Sequence, residues 1–166
     1  MVLCEGTGHV AVGSIVDASN AHVALWLGAR MLLVVNGGLG NAFDELDLNK
    51  VFCDKYGVEI AGVIINKVMP DKYEQTKYYR SKALKDNWGK DVPLLGLIPD
   101  RPFLGSQSAV ETMTELHKYT PKLNFEDGHR VDTAISHYEE YIDLDLLLER
   151  LALDDHQQAG VQQQPQ

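Results

Sequence analysis

The chain has 166 residues, a hydrophobic content of 45% and a formal net charge of −9. This length suits one domain with its own core. The negative charge argues against a nucleic-acid or anionic-membrane binder, because such proteins need a basic surface. No apolar run reaches the roughly 18 residues of a membrane span, and we find no signal-peptide pattern. The two cysteines lack a CxxC spacing, so we expect reduced thiols in a cytoplasmic protein.

Four apolar runs predict strands, and helical patterns separate them. The runs are rich in Val, Ile and Leu without polar alternation, which is typical of parallel strands that are covered on both faces. The predicted strands are residues 1–4, 31–36, 58–65 and 93–98, and the predicted helices are residues 19–28, 41–56 and 70–88. This alternation predicts an α/β, three-layer fold with a mainly parallel sheet.

Helical patterns dominate after residue 98. A helix is predicted around residues 109–118, and a short strand at residues 122–125. A stripe at helical spacing predicts an amphipathic helix, and its members are Val131, Ala134, Ile135, Tyr138, Tyr141 and Ile142. Asp143 or Asp145 can cap a last helix. We therefore predict one domain over residues 1–153, with a sheet core in 1–105 and a helical part in 106–153. The Gln-rich tail at 154–166 is predicted to be disordered.

A glycine loop follows the first predicted strand. Gly6, Gly8 and Ala11 satisfy GxGxxA, the dinucleotide-binding fingerprint. A Rossmann loop, however, needs a helix that begins at once and an acid at the end of the next strand. Here the helix is predicted to begin near residue 19, and the next strand ends in Asn36 and two glycines. A Rossmann dinucleotide site is therefore the less favoured interpretation.

Glu5 lies at the carboxyl end of the same predicted strand. A carboxylate in this position can hold Mg²⁺ directly or through water, and the glycines after it let phosphates approach closely. The alternative interpretation is a tight turn with a solvated glutamate.

Asn66 and Pro99 follow the third and fourth predicted strands. The carboxamide of Asn66 offers one donor and one acceptor in a plane, which complements the edge of a nucleobase. Pro99 would provide a rigid rim on the neighbouring loop, although asparagine is also a common turn residue. Because the carboxyl ends of parallel strands meet at one edge of the sheet, the two residues predict a base pocket. Asn41, after the glycines that follow the second strand, adds a candidate anion site at a helix N-terminus.

The segments CEGTGH, VVNGG, GVIINKV and LLGLIPD, in this order, resemble the P-loop dethiobiotin synthetase-like domain. Its relatives include cobyrinic acid a,c-diamide synthase and the ATPase-like domain of long-form phosphotransacetylases. The resemblance covers roughly residues 2–104 and is strongest to the phosphotransacetylase-associated branch, because the EGTGH loop differs from the EGAGG form of dethiobiotin synthetase. It implies a P-loop NTPase-like fold that uses ATP and Mg²⁺ to activate a small carboxylate.

The same resemblance implies roles for individual residues. Glu5 would be the Mg²⁺ carboxylate, and Gly6 and Gly8 would line the phosphate and substrate side. Asn66 would recognise adenine, with Pro99 beside it. The resemblance assigns no catalytic role to any residue of this chain.

The sequence departs from this family in one important respect. No segment matches the Walker A loop, GxxxxGK[ST], whose amides and lysine hold the phosphates. We therefore expect an N-terminally incomplete fold that does not catalyse ATP chemistry alone. The alternatives are a nucleotide-sensing or subunit-interaction module, as a homodimer or with a partner subunit, and a truncated gene product. Whether the chain acts as an enzyme stays open at this point.

Overall fold

A computed structural model describes residues 2–37, 41–89, 91–100 and 125–151. In chain order its elements are α1 (Asn20–Leu27), β1 (Met31–Asn36), α2 (Asn41–Tyr56), β2 (Ile60–Val68), α3 (Tyr73–Trp88), β3 (Leu94–Pro99), α4 (Phe125–Tyr141) and α5 (Leu144–Leu151). Short 3-10 turns at Ser14–Val16 and Pro70–Lys72 precede α1 and α3. These bounds confirm the three helices and the three later strands that the pattern predicts.

The described strands form a parallel sheet in the order β1-β2-β3. The central strand is buried from Ile60 to Ile65, as expected for a strand that is covered on both faces. It begins two residues later and ends three residues later than predicted, so Asn66 lies inside the strand and not after it.

Helices cover both faces of the sheet. On one face α1, α2 and α3 pack over β1 to β3, and the buried members of this core include Ala21, Leu33, Leu46, Val63 and Leu84. On the other face a smaller core joins the sheet to the end of α4 and to α5 through Ile64, Leu95, Ile98, Ile142 and Leu146. The three-layer α/β architecture is therefore confirmed.

Hydrogen bonds from the helical segments close the outer edge of β3. The hydroxyl of Tyr73 donates to the carbonyl of Leu97 at 3.0 Å, and Nε2 of His137 lies 3.2 Å from the carbonyl oxygen of Pro99. The backbone N–H of Asp143 donates to the carbonyl of Leu95, in the same strand, at 2.8 Å. An exposed strand edge is a template for pairing with another chain, and among the described residues these three contacts occupy the outer edge of β3.

The predicted strand at residues 1–4 is wrong. Residues 2–6 have no regular secondary structure, and Val2 and Leu3 are 87% and 82% exposed. A strand is held only by hydrogen bonds to a neighbour, and no described backbone hydrogen bond joins residues 2–5 to the sheet. An apolar run without a partner strand therefore leaves Glu5 on an exposed segment and not at a strand end.

The predicted apolar stripe of α4 is buried only in part. Tyr141 and Ile142 pack against the smaller core, but two earlier members of the stripe are exposed. Val131 and Ile135 are 49% and 48% exposed, whereas His137 is only 6% exposed. The helix turns His137 and Tyr141 toward β3, where their rings make an edge contact with centroids 5.0 Å apart. The buried His137 ring has a polar partner, because its Nε2 atom lies 3.2 Å from the carbonyl oxygen of Pro99.

Several predictions concern residues outside the described ranges. The predicted helix at 109–118, nearly all of the predicted strand at 122–125 and the Gln-rich tail lie there. Phe125, the last residue of that strand, begins α4 instead. The proposed division at residues 105 and 153 stays a prediction.

The two thiols should react very differently. Cys4 is exposed and Cys53 is buried, and burial, helped by the charge of Asp54, raises the pKa of the Cys53 thiol from 9.0 to about 11. With a disulfide reagent at pH 8, we expect one thiol per chain to react rapidly in the native protein and two to react rapidly in denaturant. Two rapid equivalents in the native protein would contradict the burial of Cys53.

The raised pKa of Cys53 also affects stability at high pH. The folded state disfavours its thiolate, so the stabilisation is present below pH 9.0 and is lost as the pH rises toward about 11. In urea unfolding, the free energy of unfolding should therefore fall less between pH 8 and pH 10 for Cys53→Ala than for the unchanged protein.

Candidate functional site

The loop at residues 6–13 is held against α1 and α2. The Asn20 side chain donates from Nδ2 to the carbonyls of Thr7 at 3.0 Å and His9 at 2.9 Å. The backbone N–H of buried Val10 donates to Oδ1 of Asn49 in α2 at 3.1 Å. These bonds give the loop a defined path and place it beside the N-terminus of α1.

The N-terminal amides of α1 are already used. The N–H groups of residues 20 and 21 donate to the carbonyls of Val12 and Val10, and those of residues 22 and 23 donate to Ser19. A Rossmann site requires such amides to meet the pyrophosphate, and a 3-10 turn separates the glycines from α1. Both observations argue against the dinucleotide interpretation of GxGxxA.

Glu5 is exposed on the segment before this loop. Within the described ranges, no group of three or more His, Cys, Asp or Glu residues could hold a metal ion. A single carboxylate does not make a Mg²⁺ site by itself. It fits Mg²⁺ only together with nucleotide phosphates, which supply ligands in many ATP-dependent sites.

Two asparagines meet at the carboxyl edge of the sheet. Asn36 at the end of β1 is in register with Asn66 in β2, and Val34 is in register with Ile64. Paired residues of parallel strands present their side chains on the same face. On that face Asn36 is exposed, Asn66 is half-buried and Val34 is 59% exposed.

One hydrogen bond sets the orientation of the Asn66 carboxamide. The backbone N–H of Lys67 donates to Oδ1 of Asn66 at 2.8 Å. Lys67 has a left-handed backbone with φ of 57°, a conformation that costs a non-glycine residue about 1 kcal/mol or more. The bond fixes which end of the amide is oxygen, and the Nδ2 group is left to donate to a ligand.

The backbone of Gly37, next to Asn36, lies in close contact with the end of β2. A Cβ atom on Gly37 would lie 2.6 Å from Cα of Val68 and 2.9 Å from the carbonyl oxygen of Lys67. Only glycine permits this approach. Of the glycines that follow β1, Gly37 is the one that the structure describes.

Pro99 ends β3 on the far side of β2. It pairs with Val68, and the N–H of Asp100 donates to the Val68 carbonyl at 2.7 Å. Pro99 and Asn66 therefore lie on neighbouring strands, inside them and not after them, and their role in a base pocket stays a prediction. The sequence prediction misses His137, which holds the carbonyl of Pro99; the spacing of Ala134, His137 and Tyr141 is the helical signal that could have indicated this face.

A profile of the AAA domain family matches residues 1–108. The chain belongs to the AAA domain family. No curated protein sequence and no solved structure matches the chain. Together with the three-layer parallel sheet, membership assigns a P-loop NTPase-like, nucleotide-binding type of fold.

In this AAA domain the predicted site residues form two groups. Asn66 and Pro99 lie on neighbouring strands at the carboxyl edge, whereas the described contacts of the loop with Gly6 and Gly8 are with α1 and α2. Across the described ranges, no helix is both long and apolar enough to cross a membrane.

Proposed function

We propose that this AAA domain binds ATP, with adenine held at Asn66 and Pro99. The observation that carries the proposal is the half-buried Asn66 carboxamide, whose oxygen accepts the N–H of Lys67. Its Nδ2 group can donate to a ring nitrogen of adenine, and the second lone pair of Oδ1 can accept the adenine amino group. Pro99 pairs with Val68, two residues beyond Asn66, and would provide an apolar rim at the end of the neighbouring strand.

In the proposed site, the glycine loop would lie beside the phosphates of the nucleotide. Gly6 and Gly8 leave room for phosphate oxygens, and Glu5 would be one Mg²⁺ ligand beside those oxygens. We propose no other role for this loop, because the amides of α1 behind it are already bonded.

The chain contains no GxxxxGK[ST] segment, and this limits the proposed chemistry. Loss of one preorganised electrostatic group commonly removes about 3 kcal/mol of transition-state stabilisation. We therefore propose a domain of the dethiobiotin synthetase type that binds nucleotide without turnover by the isolated chain. Carboxylate activation, which the resemblance implies, would need a phosphate-binding loop in addition to these residues. The two unpaired cysteines suit our expectation of a cytoplasmic location.

Isothermal titration with ATP and Mg²⁺ tests the site. We expect Asn66→Ala to weaken binding about tenfold, because it removes a hydrogen bond to the base. Asn87→Ala is the matched control, since Asn87 is exposed on α3 and its side chain donates to the carbonyl of Ala83, in the same helix, at 2.8 Å. Equal affinities for the Asn66 variant and the unchanged protein, or no heat from either, would remove the basis of the proposal.

A subunit-interaction module is the second candidate. Within the described residues, β1 pairs only with β2, so its outer edge has no partner strand. Val34 on this strand and Trp26 on α1 are 59% and 64% exposed. Open edges and exposed apolar side chains favour association, and sedimentation velocity over a range of concentrations would reveal a dimer.

A further inference from the structure

Asn36 lies directly beside Asn66 at the carboxyl edge. The register of β1 and β2 is regular from Leu32 to Asn36, so the two asparagines share a face. Neighbouring strands lie about 4.8 Å apart, a separation at which both carboxamides can contact one planar base. The close approach of Gly37 to Val68 holds the ends of the two strands together.

The two carboxamides differ in their freedom to rotate. Oδ1 of Asn66 accepts the N–H of Lys67 at 2.8 Å, and a flipped amide would set its NH₂ group against that N–H. The exposed side chain of Asn36 makes no hydrogen bond to any described residue. Asn66 therefore presents a fixed order of donor and acceptor, whereas Asn36 can present either order.

We propose that Asn36 is a second base-contacting residue, and that it adds affinity for purine nucleotides without choosing between them. The exposed Val34 side chain on the same face provides an apolar floor for the ring. In this arrangement Asn66 alone selects adenine. The inference rests on the proposed function, because it assigns roles within the same site.

The assignment follows from the chemistry of the two bases. Adenine carries an amino donor at the position where guanine carries a carbonyl acceptor. In a fixed base pose, a carboxamide with a fixed orientation matches one of these and opposes the other. A carboxamide that can rotate matches both at similar cost, so its contribution to the affinities for adenine and guanine nucleotides is the same.

Dissociation constants for ATP and GTP, each with Mg²⁺, test the proposal on the full chain. The proteins are the unchanged chain, Asn36→Ala, Asn66→Ala and the control Asn87→Ala, with thermal unfolding to verify that each is folded. We expect Asn36→Ala to weaken ATP and GTP by the same factor, about five- to tenfold. The dissociation constant for GTP divided by that for ATP should stay unchanged in Asn36→Ala. The same ratio should fall toward one in Asn66→Ala.

Each other outcome overturns a defined part of this account. If Asn36→Ala binds both nucleotides as the unchanged protein does, while Asn66→Ala is weakened, Asn36 makes no base contact and the proposed function stands. If Asn36→Ala alters the ratio as strongly as Asn66→Ala does, the division of roles is wrong. If the unchanged chain binds neither nucleotide, the proposed function itself fails.

Discussion

Gly37→Ala should lower the free energy of unfolding by about 3 kcal/mol. The new Cβ would lie 2.6 Å from Cα of Val68 and 2.9 Å from the carbonyl oxygen of Lys67. Both atoms belong to the backbone, so no side-chain rotation relieves the overlap and the two strands must separate. Urea unfolding measures the loss. Because Lys67 orients the Asn66 amide, ATP binding should weaken in the same variant.

Gly28→Ala is the control for this substitution. Gly28 has φ of 59°, and no neighbouring atom lies within 4 Å of the position that a Cβ would take, so alanine there meets backbone strain but no steric overlap. We expect a loss of about 1 kcal/mol and unchanged nucleotide binding. If Gly37→Ala costs no more than Gly28→Ala, the two strands do not make the close contact described above.

Gly62→Ala should lower the free energy of unfolding by about 2 kcal/mol. Gly62 is buried in the middle of β2, and its added Cβ would lie 2.6 Å from Cγ of Leu95. Leu95 is itself only 1% exposed and packs in the smaller core. The side chain therefore has little room to move away.

A double-mutant cycle separates this contact from other effects of the alanine. Leu95→Ala alone should cost about 2–5 kcal/mol, as for other buried leucines. In that background the alanine at position 62 no longer meets the end of the Leu95 side chain, and only the carbonyl oxygen of Pro93, at 3.1 Å, stays close. Its additional cost should therefore fall below about 1 kcal/mol. A cost that stays at about 2 kcal/mol in the Leu95→Ala background would locate the strain elsewhere.

The parallel sheet could be predicted because its signal is local. Strands covered on both faces must be apolar throughout, and 31–36, 58–65 and 93–98 have this composition. Once the strands are parallel, geometry brings their carboxyl ends to one edge. The positions of Asn66 and Pro99 follow from that topology, without any knowledge of side-chain contacts.

Predictions that depend on the packing of distant segments failed or were confirmed only in part. Residues 1–4 carry a strand pattern, but a strand exists only where a neighbour accepts its hydrogen bonds, and Val2 is 87% exposed. The apolar stripe of α4 is buried only in part: Tyr141 and Ile142 pack against the smaller core, whereas Val131 and Ile135 are exposed. The sequence pattern does not reveal that the buried His137 lies 3.2 Å from the carbonyl oxygen of Pro99, because this contact depends on how α4 packs on β3.

The orientation of the Asn66 amide was equally hidden. It depends on the left-handed backbone of Lys67, and lysine is not a residue type that indicates such a conformation. The relation between Asn36 and Asn66 needed the register of the strands, which periodicity does not determine. The base pocket stays a proposal, and the structure supplies the strand register and the hydrogen bond that distinguish Asn36 from Asn66.

The side-chain amide signal of Asn66 reports whether a nucleotide binds at the carboxyl edge of the sheet. In a ¹⁵N-labelled sample titrated with ATP and Mg²⁺, we predict a saturable shift of the Asn66 NH₂ resonances and of the Lys67 backbone amide. The NH₂ resonances of Asn87, on the outside of α3, should stay in place. If other resonances shift saturably while the Asn66 and Lys67 signals stay in place, the nucleotide binds elsewhere and the proposed adenine site is wrong.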